Sequence, residues 1–179
     1  MVEQRETVIR KAEARDIGAV ERIYEEIHSA EEAGQLTIGW ARGVYPTRAT
    51  AEAALVRGDL FVLERRGEIL AAALINQIQV DCYRGAPWRI DAPDEEICVL
   101  HTLVVSPRAE KQGLGRQFVR FYEDYAAAHG CTALRMDTNA RNAVARALYQ
   151  KLGYAEIGVV PTVFNGIPGV QLVLLEKAL

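Results

Sequence analysis

Residues 137–154 read DTNARNAVARALYQKLGY. Residues 133–138, which overlap the start of this stretch, favour a strand. Asn142 stands where it can cap a helix. We expect that helix to reach Lys151 and to end at Gly153. The stretch therefore predicts a strand, a turn that carries two asparagines, and a helix.

The side chains of this stretch allow two interpretations. The amides of Asn139 and Asn142 can bind an extended, amide-bearing ligand, or they can serve only as caps. Helix geometry sets Tyr149 about 100° from Leu148, so Tyr149 need not be buried in the core; it serves a function or packs at the rim. The stripe shared by core-facing residues of this helix would contain Val144, Ala147, Leu148 and Lys151.

A second turn lies upstream, at residues 106–115, which read SPRAEKQGLG. It links a nearly all-apolar stretch at 96–105, typical of a buried strand, to an amphipathic helix that opens at Gly113. A helix start exposes unpaired N–H groups, and Gly113 and Gly115 let an anion approach them, with Lys111 and Arg116 adding positive charge. A pyrophosphate would suit this turn, although two glycines alone can also merely shape a tight turn.

The rest of the chain supplies further elements. We predict strands at 7–10, 60–64, 69–78, 154–160 and 170–176, and helices at 17–29, capped by Asp16, and at 48–57. Loops are predicted at 34–46 and 83–95. The second half alternates strands and helices, which indicates a βαβ-type pattern inside a mixed sheet, and we expect one domain over 1–179.

Composition narrows the functional classes. The chain has 179 residues, 50% of them hydrophobic, and a formal net charge of −3, so it lacks the basic excess of nucleic-acid binders. Its apolar runs are too short to span a membrane, and its first seven residues are too polar for a signal peptide, which predicts a cytoplasmic protein. No metal site is expected, because the cysteines and histidines show no metal-ligand spacing: Cys82, Cys98, Cys131, His28, His101 and His129.

The two turns together resemble the GNAT superfamily of acetyl-CoA-dependent N-acetyltransferases. That family has a buried strand before an R/Q-x-x-G-x-G/A turn, then a strand, an asparagine, and a helix that ends in A-x-x-L-Y-x-x-x-G-F. Residues 145–154, ARALYQKLGY, match that ending, with Tyr154 in place of Phe. Glu110 departs from the turn motif, and we expect it to face solvent. Residues 99–105 also look like a subgroup with a histidine on this strand.

The resemblance implies an α/β (α+β) fold with a mixed, mostly antiparallel sheet flanked by helices, and a splayed parallel strand pair at the CoA site. It implies an acyltransferase in which an amine attacks acetyl-CoA directly through a tetrahedral intermediate, with Tyr149 protonating the leaving sulfur. His101 would accept the amine proton with a pKa near 6–7, or be a hydrogen-bonded core histidine; Glu95 and Glu96 are weaker candidates. The implied CoA-binding residues are Leu103, Val104, Val105, Lys111, Gln112, Gly113, Leu114, Gly115, Arg116, Asn139 and Asn142.

The acceptor is expected to be an amine of a small molecule or a peptide. The aromatic residues of the loops would line its pocket, or would pin those loops to the sheet: Trp40, Tyr45, Tyr83 and Trp88. A homodimer is also compatible with the resemblance. The alternative function is a non-catalytic CoA-binding regulatory module on the same fold; Glu110 favours that alternative, and the intact Tyr149 favours the enzyme.

Overall fold

The computed structural model describes residues 7–179, so the polar segment at 1–6 lies outside the described residues. The described chain forms one mixed sheet in the order β1-β2-β3-β4-β5-β7-β6, in which β4 and β5 run parallel and all other neighbours antiparallel. Its strands are β1 (Thr7–Lys11), β2 (Leu60–Arg65), β3 (Glu68–Asn76), β4 (Ile97–Val105), β5 (Ala133–Asn139), β6 (Ala155–Phe164) and β7 (Ile167–Ala178).

Helices cover both faces of this sheet, since its central strands are buried on both sides. They are α1 (Ile17–Glu32), α2 (Arg48–Arg57), α3 (Leu114–Ala128) and α4 (Ala143–Lys151). Along β3, Ala71 and Ala73 pack with α3 and α4 on one face, whereas Ala72 and Leu74 pack with α1 and α2 on the other. A mixed sheet flanked by helices, with one parallel pair, confirms the predicted fold class.

One local prediction is correct in position only, and another is wrong. Asp16 is the N-cap residue of α1, as predicted, but its side chain makes no cap hydrogen bond. It ends a short 3₁₀ turn (Ala14–Asp16), and its carboxylate accepts hydrogen bonds from the Glu13 amide at 2.7 Å and from Arg10. On α4, Val144 is 82% exposed and Tyr149 only 7% exposed. The helix is rotated so that the large tyrosine ring meets the sheet, because burying that ring removes more apolar surface from water than burying a valine.

The parallel strands β4 and β5 separate halfway along their length. Their pairing runs from Ile97↔Ala133 to Leu100↔Met136, and both strands then continue apart. At the same level β4 bulges against β3, since Ala72 pairs with Val104 and Leu74 with His101. Thr102, inside the bulge, has a φ of 51°. A bulge bends its strand, and the result is a wedge-shaped opening in the middle of the sheet, which we call the β4–β5 wedge.

Candidate active site

A cavity lies at the β4–β5 wedge. His101, Thr102 and Leu103 line it from β4, and Asp137, Thr138 and Asn139 line it from β5. The other walls come from α4, from the loop before α2, and from the β6–β7 hairpin. The cavity is therefore reached by residues from both faces of the sheet.

Tyr149 forms the α4 wall of this cavity. Burial raises the pKa of its phenol, and the nearby carboxyl of Asp137 raises it further. The hydroxyl is therefore protonated at neutral pH, which is the state in which it can donate a proton or a hydrogen bond to a group in the cavity.

His101 lines the cavity opposite β5 and is held by a polar chain. Its Nε2 lies 2.8 Å from Oδ1 of Asn76, whose Nδ2 donates to Oδ2 of Asp59 at 2.8 Å. The Asn76 oxygen is thus an acceptor, so His101 donates from Nε2. Burial lowers the pKa of His101 to about 4, which corrects the expected value near 6–7: the imidazole is neutral at physiological pH.

Asp137 is the acidic residue of the cavity wall, and sequence reasoning missed it as a site residue. Its side chain is partly exposed and lines the cavity, and Oδ2 accepts a hydrogen bond from the Tyr83 hydroxyl at 2.6 Å. Burial raises the pKa of Asp137 to about 6, against the opposing effect of the Tyr83 bond. The signal that could have revealed it is a lone carboxylate at the end of a buried strand, two residues before Asn139.

The loop between α1 and α2 covers one side of the cavity. Trp40 and Tyr45 line it, with their rings edge to face at 6.1 Å, and the Tyr45 hydroxyl bonds to Oγ1 of Thr102. The Glu31 carboxylate accepts hydrogen bonds from the amides of Ile38 and Gly39, at 2.7 and 2.8 Å. These contacts hold the loop to β4 through Tyr45 and to α1 through Glu31.

Gly39 is where this loop comes closest to β5. It has a φ of +84°, and a Cβ atom built on it would lie 2.3 Å from Nδ2 of Asn139. Only glycine combines that backbone conformation with such a close approach. The sequence prediction noted Gly39 only as part of a loop.

Tyr83 and Trp88 lie behind the cavity and do not line it, within the part of the chain that the structure describes. Tyr83 is buried behind Asp137, and Trp88 donates from Nε1 to the Tyr83 carbonyl at 2.9 Å. The Arg135 guanidinium stacks 4.1 Å over the Trp88 ring. These aromatics support β5 from its outer face, which is the pinning role that the sequence left open.

The glycine turn adjoins the wedge without entering the cavity. Gly113 is the residue before α3, with a φ of 74° and open space where a Cβ would point. A Cβ on Gly115 would instead lie 3.4 Å from Leu148, so this glycine lets α3 pack against α4. Around them Glu110, Lys111, Gln112 and Arg116 are exposed, and Leu114 is buried in the core.

The edge of β4 presents amide groups to the wedge. Ser106 donates its N–H to the Leu70 carbonyl of β3 at 2.8 Å. Successive amides along a strand point to opposite edges, so the N–H groups of Val105 and Leu103 face the wedge. The Val104 side chain is buried against α1 and α2.

The two asparagines both line the cavity, and both accept a backbone hydrogen bond on the side-chain oxygen. Oδ1 of Asn139 accepts from the Arg141 amide at 3.0 Å, and Oδ1 of Asn142 accepts from the Ala145 amide at 3.2 Å. The capping interpretation is therefore correct for Asn142, which caps α4, whereas the Asn139 oxygen closes the turn before that helix. Their NH₂ groups are the donors that a ligand in the wedge would use.

The acetyltransferase (GNAT) family matches residues 20–154 of this chain. The chain belongs to the GNAT family of acetyltransferases. A stretch of 62 residues is 36% identical to the uncharacterized N-acetyltransferase YhfO of Bacillus subtilis (strain 168); this alignment covers 35% of the present chain and 42% of YhfO.

Solved structures show that this GNAT chain has the family's fold. A GCN5-related N-acetyltransferase from Kribbella flavida superposes with a TM-score of 0.70 at 23% identity, over 97% of this chain and 98% of that one. The ribosomal-protein-S18-alanine N-acetyltransferase of Escherichia coli gives 0.66 at 20% identity, over 97% and 94%. The protein yncA of Salmonella typhimurium, solved with its cofactor acetyl-CoA, gives 0.66 at 21% identity, over 96% and 93%.

Two further properties of the GNAT chain concern metals and membranes. Within residues 7–179, no group of three or more His, Cys, Asp or Glu side chains is arranged to hold a metal ion. None of the helices in that range is both long and apolar enough to cross a membrane.

Proposed function

We propose that this GNAT chain is a single-domain enzyme that transfers the acetyl group of acetyl-CoA to the nitrogen of an amine by direct attack. The observation that carries the proposal is the position of Tyr149, whose protonated phenol lines a cavity at the β4–β5 wedge. Nothing in a merely structural role requires a tyrosine at that place, because a phenylalanine would fill the same space.

The residues around the wedge fit the chemistry of a CoA thioester. Amides of Leu103 and Val105 are donors for the pantetheine amides and the thioester carbonyl, and the NH₂ groups of Asn139 and Asn142 are further donors along the arm. Gly113 offers the open approach to the amino terminus of α3 that a pyrophosphate needs. Acetyl-CoA supplies an acyl group activated as a thioester.

The chain's own part in the reaction is the handling of charge and protons. The backbone amides on the β4 edge stabilise negative charge that develops on the carbonyl oxygen. Tyr149 gives its proton to the sulfur as the carbon–sulfur bond breaks. A phenol with a raised pKa is protonated before the reaction, and it transfers that proton as negative charge develops on the sulfur.

The alternative is a CoA-binding regulatory module without catalytic activity. Glu110, the residue that favoured this alternative, is exposed to solvent as predicted, which weakens its support for the regulatory module. We further propose a cytoplasmic location, in keeping with the free cysteines Cys82, Cys98 and Cys131. A homodimer stays a prediction, which sedimentation of the purified protein would test.

The decisive experiment measures release of free thiol from acetyl-CoA with a panel of small amines and peptides. Turnover of any amine establishes the enzyme, and binding of acetyl-CoA without turnover of any amine establishes the regulatory module. Binding is followed separately, as a rise in melting temperature with acetyl-CoA. Gly113→Asp should abolish that rise, because the carboxylate enters the phosphate path, whereas Gly130→Asp at the other end of α3 should retain it.

A further inference from the structure

We propose that Asp137 binds the ammonium group of the acceptor and removes its proton, and that the acceptor is an amine on an apolar body without a carboxylate. This proposal rests on the proposed function and assigns a group to the amine half of the reaction. It replaces His101, the candidate that the sequence indicated, as the proton acceptor.

The first observation is the place of Asp137 in the sheet. The last paired residues of the parallel strands are Leu100 and Met136, so His101 and Asp137 are the first residues beyond the point where the strands separate. Both line the cavity that Tyr149 also lines. A ligand in this cavity therefore lies between the carboxylate and the phenol assigned to the sulfur.

The second observation is the charge around Asp137. The titratable groups that surround it come from the loop before α2, the segment after β3, β4 and α4. All of these groups are neutral at pH 7, because burial raises the pKa of the phenols and the thiol and lowers the pKa of the imidazole. They are Tyr45, Tyr83, Tyr149, Cys82 and His101. The Arg135 guanidinium, on the same strand as Asp137, stacks on the Trp88 ring rather than pairing with the Asp137 carboxylate.

A carboxylate in such surroundings lacks an opposite charge. Asp137 is only partly exposed, and its hydrogen-bond donor, Tyr83, is neutral. Holding a charge in such a place without an opposite charge is costly, and proteins keep such groups mainly where they perform a function. A cationic amine in the cavity supplies the missing charge. Because the pKa of Asp137 is about 6, the carboxyl is ionised at neutral pH and is a better base than an ordinary aspartate.

The third observation is the composition of the cavity wall. Its apolar part includes Trp40, Val80, Phe164, Ile167 and Leu172. No lysine or arginine lines this cavity within residues 7–179. Polar side chains, among them Asn139 and Asn142, line the cavity as well, but none of the lining side chains in that range is cationic. A carboxylate on the acceptor would therefore meet no opposite charge and the like charge of Asp137, whereas a hydrocarbon or aromatic body would pack against the apolar part of the wall.

The proton steps balance as follows. Asp137 takes one proton from the ammonium, and the freed lone pair forms the nitrogen–carbon bond to the thioester carbonyl. As the carbon–sulfur bond breaks, Tyr149 protonates the sulfur, and the second proton lost by nitrogen restores the phenol. Asp137 then releases its proton to solvent. The products are the amide, the free thiol of CoA and one proton.

The test compares the wild-type chain with Asp137→Asn, using acetyl-CoA and either 2-phenylethylamine or phenylalanine. The two acceptors differ only by a carboxylate. We expect wild type to prefer 2-phenylethylamine at least tenfold in kcat/KM, with an acidic limb in its pH profile near 6. Asp137→Asn should lose about 10²-fold or more in kcat/KM and should lose the acidic limb. His101→Gln should keep that limb.

A second measurement is independent of turnover. Calorimetric titration of 2-phenylethylamine into the CoA-saturated protein should show at least tenfold weaker binding to Asp137→Asn, with CoA binding unchanged. If wild type binds the amine through Asp137 but turns over none, the proposed function and the proton-removing role fail, and the assignment of Asp137 to amine binding stands. If wild type turns over the amine and Asp137→Asn does so equally, with the limb intact, the assignment fails and the function stands. Equal use of phenylalanine, or no interaction with 2-phenylethylamine, overturns the acceptor class.

Discussion

The Tyr83 hydroxyl donates a 2.6 Å hydrogen bond to Oδ2 of Asp137, across 54 residues of sequence. The bond lowers the pKa of Asp137, while burial raises it. Tyr83 is thus a positioning residue: it orients the carboxylate and limits the rise in its pKa without lining the cavity.

Removing this bond should move the pH dependence of the enzyme. Tyr83→Phe removes the hydrogen bond that lowers the pKa of Asp137. That pKa should therefore rise, and the acidic limb of kcat/KM should shift to higher pH. Tyr122→Phe is the matched control, because it removes another buried phenol, bonded to the Cys98 carbonyl at 2.7 Å on the opposite face of the sheet. It should lower stability and leave the limb where it is. An unmoved limb in Tyr83→Phe would contradict the assignment.

Tyr149→Phe tests the proton donor. The substitution keeps the ring and removes one hydroxyl, so kcat should fall by about 10²-fold or more, while the acetyl-CoA-dependent rise in melting temperature persists. Tyr154→Phe is the control, since this neighbouring phenol donates to Glu123 at 3.1 Å and is not part of the cavity. Comparable losses in both variants would mean that packing, and not proton transfer, explains the effect.

Asp137→Asn should cost activity and increase stability. The folded pKa of about 6 exceeds the ordinary value of 3.8, so the folded chain binds the proton more tightly than the unfolded chain does. The stability that this preference contributes is complete below pH 4 and is lost as the pH rises through 6. Asparagine, which carries no charge, should therefore raise the free energy of unfolding at pH 8 by at most about 3 kcal/mol, and much less near pH 4.

Urea unfolding at the two pH values measures this difference. A structural aspartate would give the opposite result, with Asp137→Asn destabilising the fold most at high pH. The combination of lower activity and higher stability is the signature of a residue kept for function at a cost to folding.

Gly39→Ala should disturb the cavity through contact as well as through backbone strain. The new methyl group would collide with the Asn139 amide, at 2.3 Å, and displace the loop that carries Trp40. Gly43→Ala provides the control, since its φ of +74° imposes similar strain and no atom lies within 4 Å of the new Cβ. Gly43→Ala should cost about 1 kcal/mol of stability, whereas Gly39→Ala should cost more and lower kcat/KM at least tenfold. If Gly39→Ala and Gly43→Ala had equal effects on stability and on kcat/KM, the close approach of Gly39 to Asn139 would be unimportant.

Local signals in the sequence predicted much of this fold correctly. Gly58, with a φ of +78°, ends α2 where the sequence indicated, and Asn142 caps α4 as predicted. These features depend on a few neighbouring residues. The turn at Gly113 was located for the same reason, because a glycine between a buried strand and an amphipathic helix is a local pattern.

Features that depend on distant contacts were missed. The environment of Asp137 is made by Tyr83, which meets it only through the tertiary fold. The sequence analysis placed Tyr83 in the acceptor pocket and assigned no role to Asp137. The rotation of α4 that buries Tyr149 is set by packing on the sheet, not by its own apolar stripe. The low pKa of His101 likewise follows from burial, which the residue type alone does not reveal.

The separation of β4 and β5 in the middle of the sheet also bears on how this catalyst can diversify. The glycine turn and α4 approach the opening from one face, whereas Trp40 and the β6–β7 hairpin border it from elsewhere in the chain. Substitutions in the loop and hairpin can therefore reshape the acceptor pocket without rebuilding the turn assigned to the phosphates. A mutant library confined to those two segments is the natural starting point for engineering new amine selectivity on an unchanged donor site.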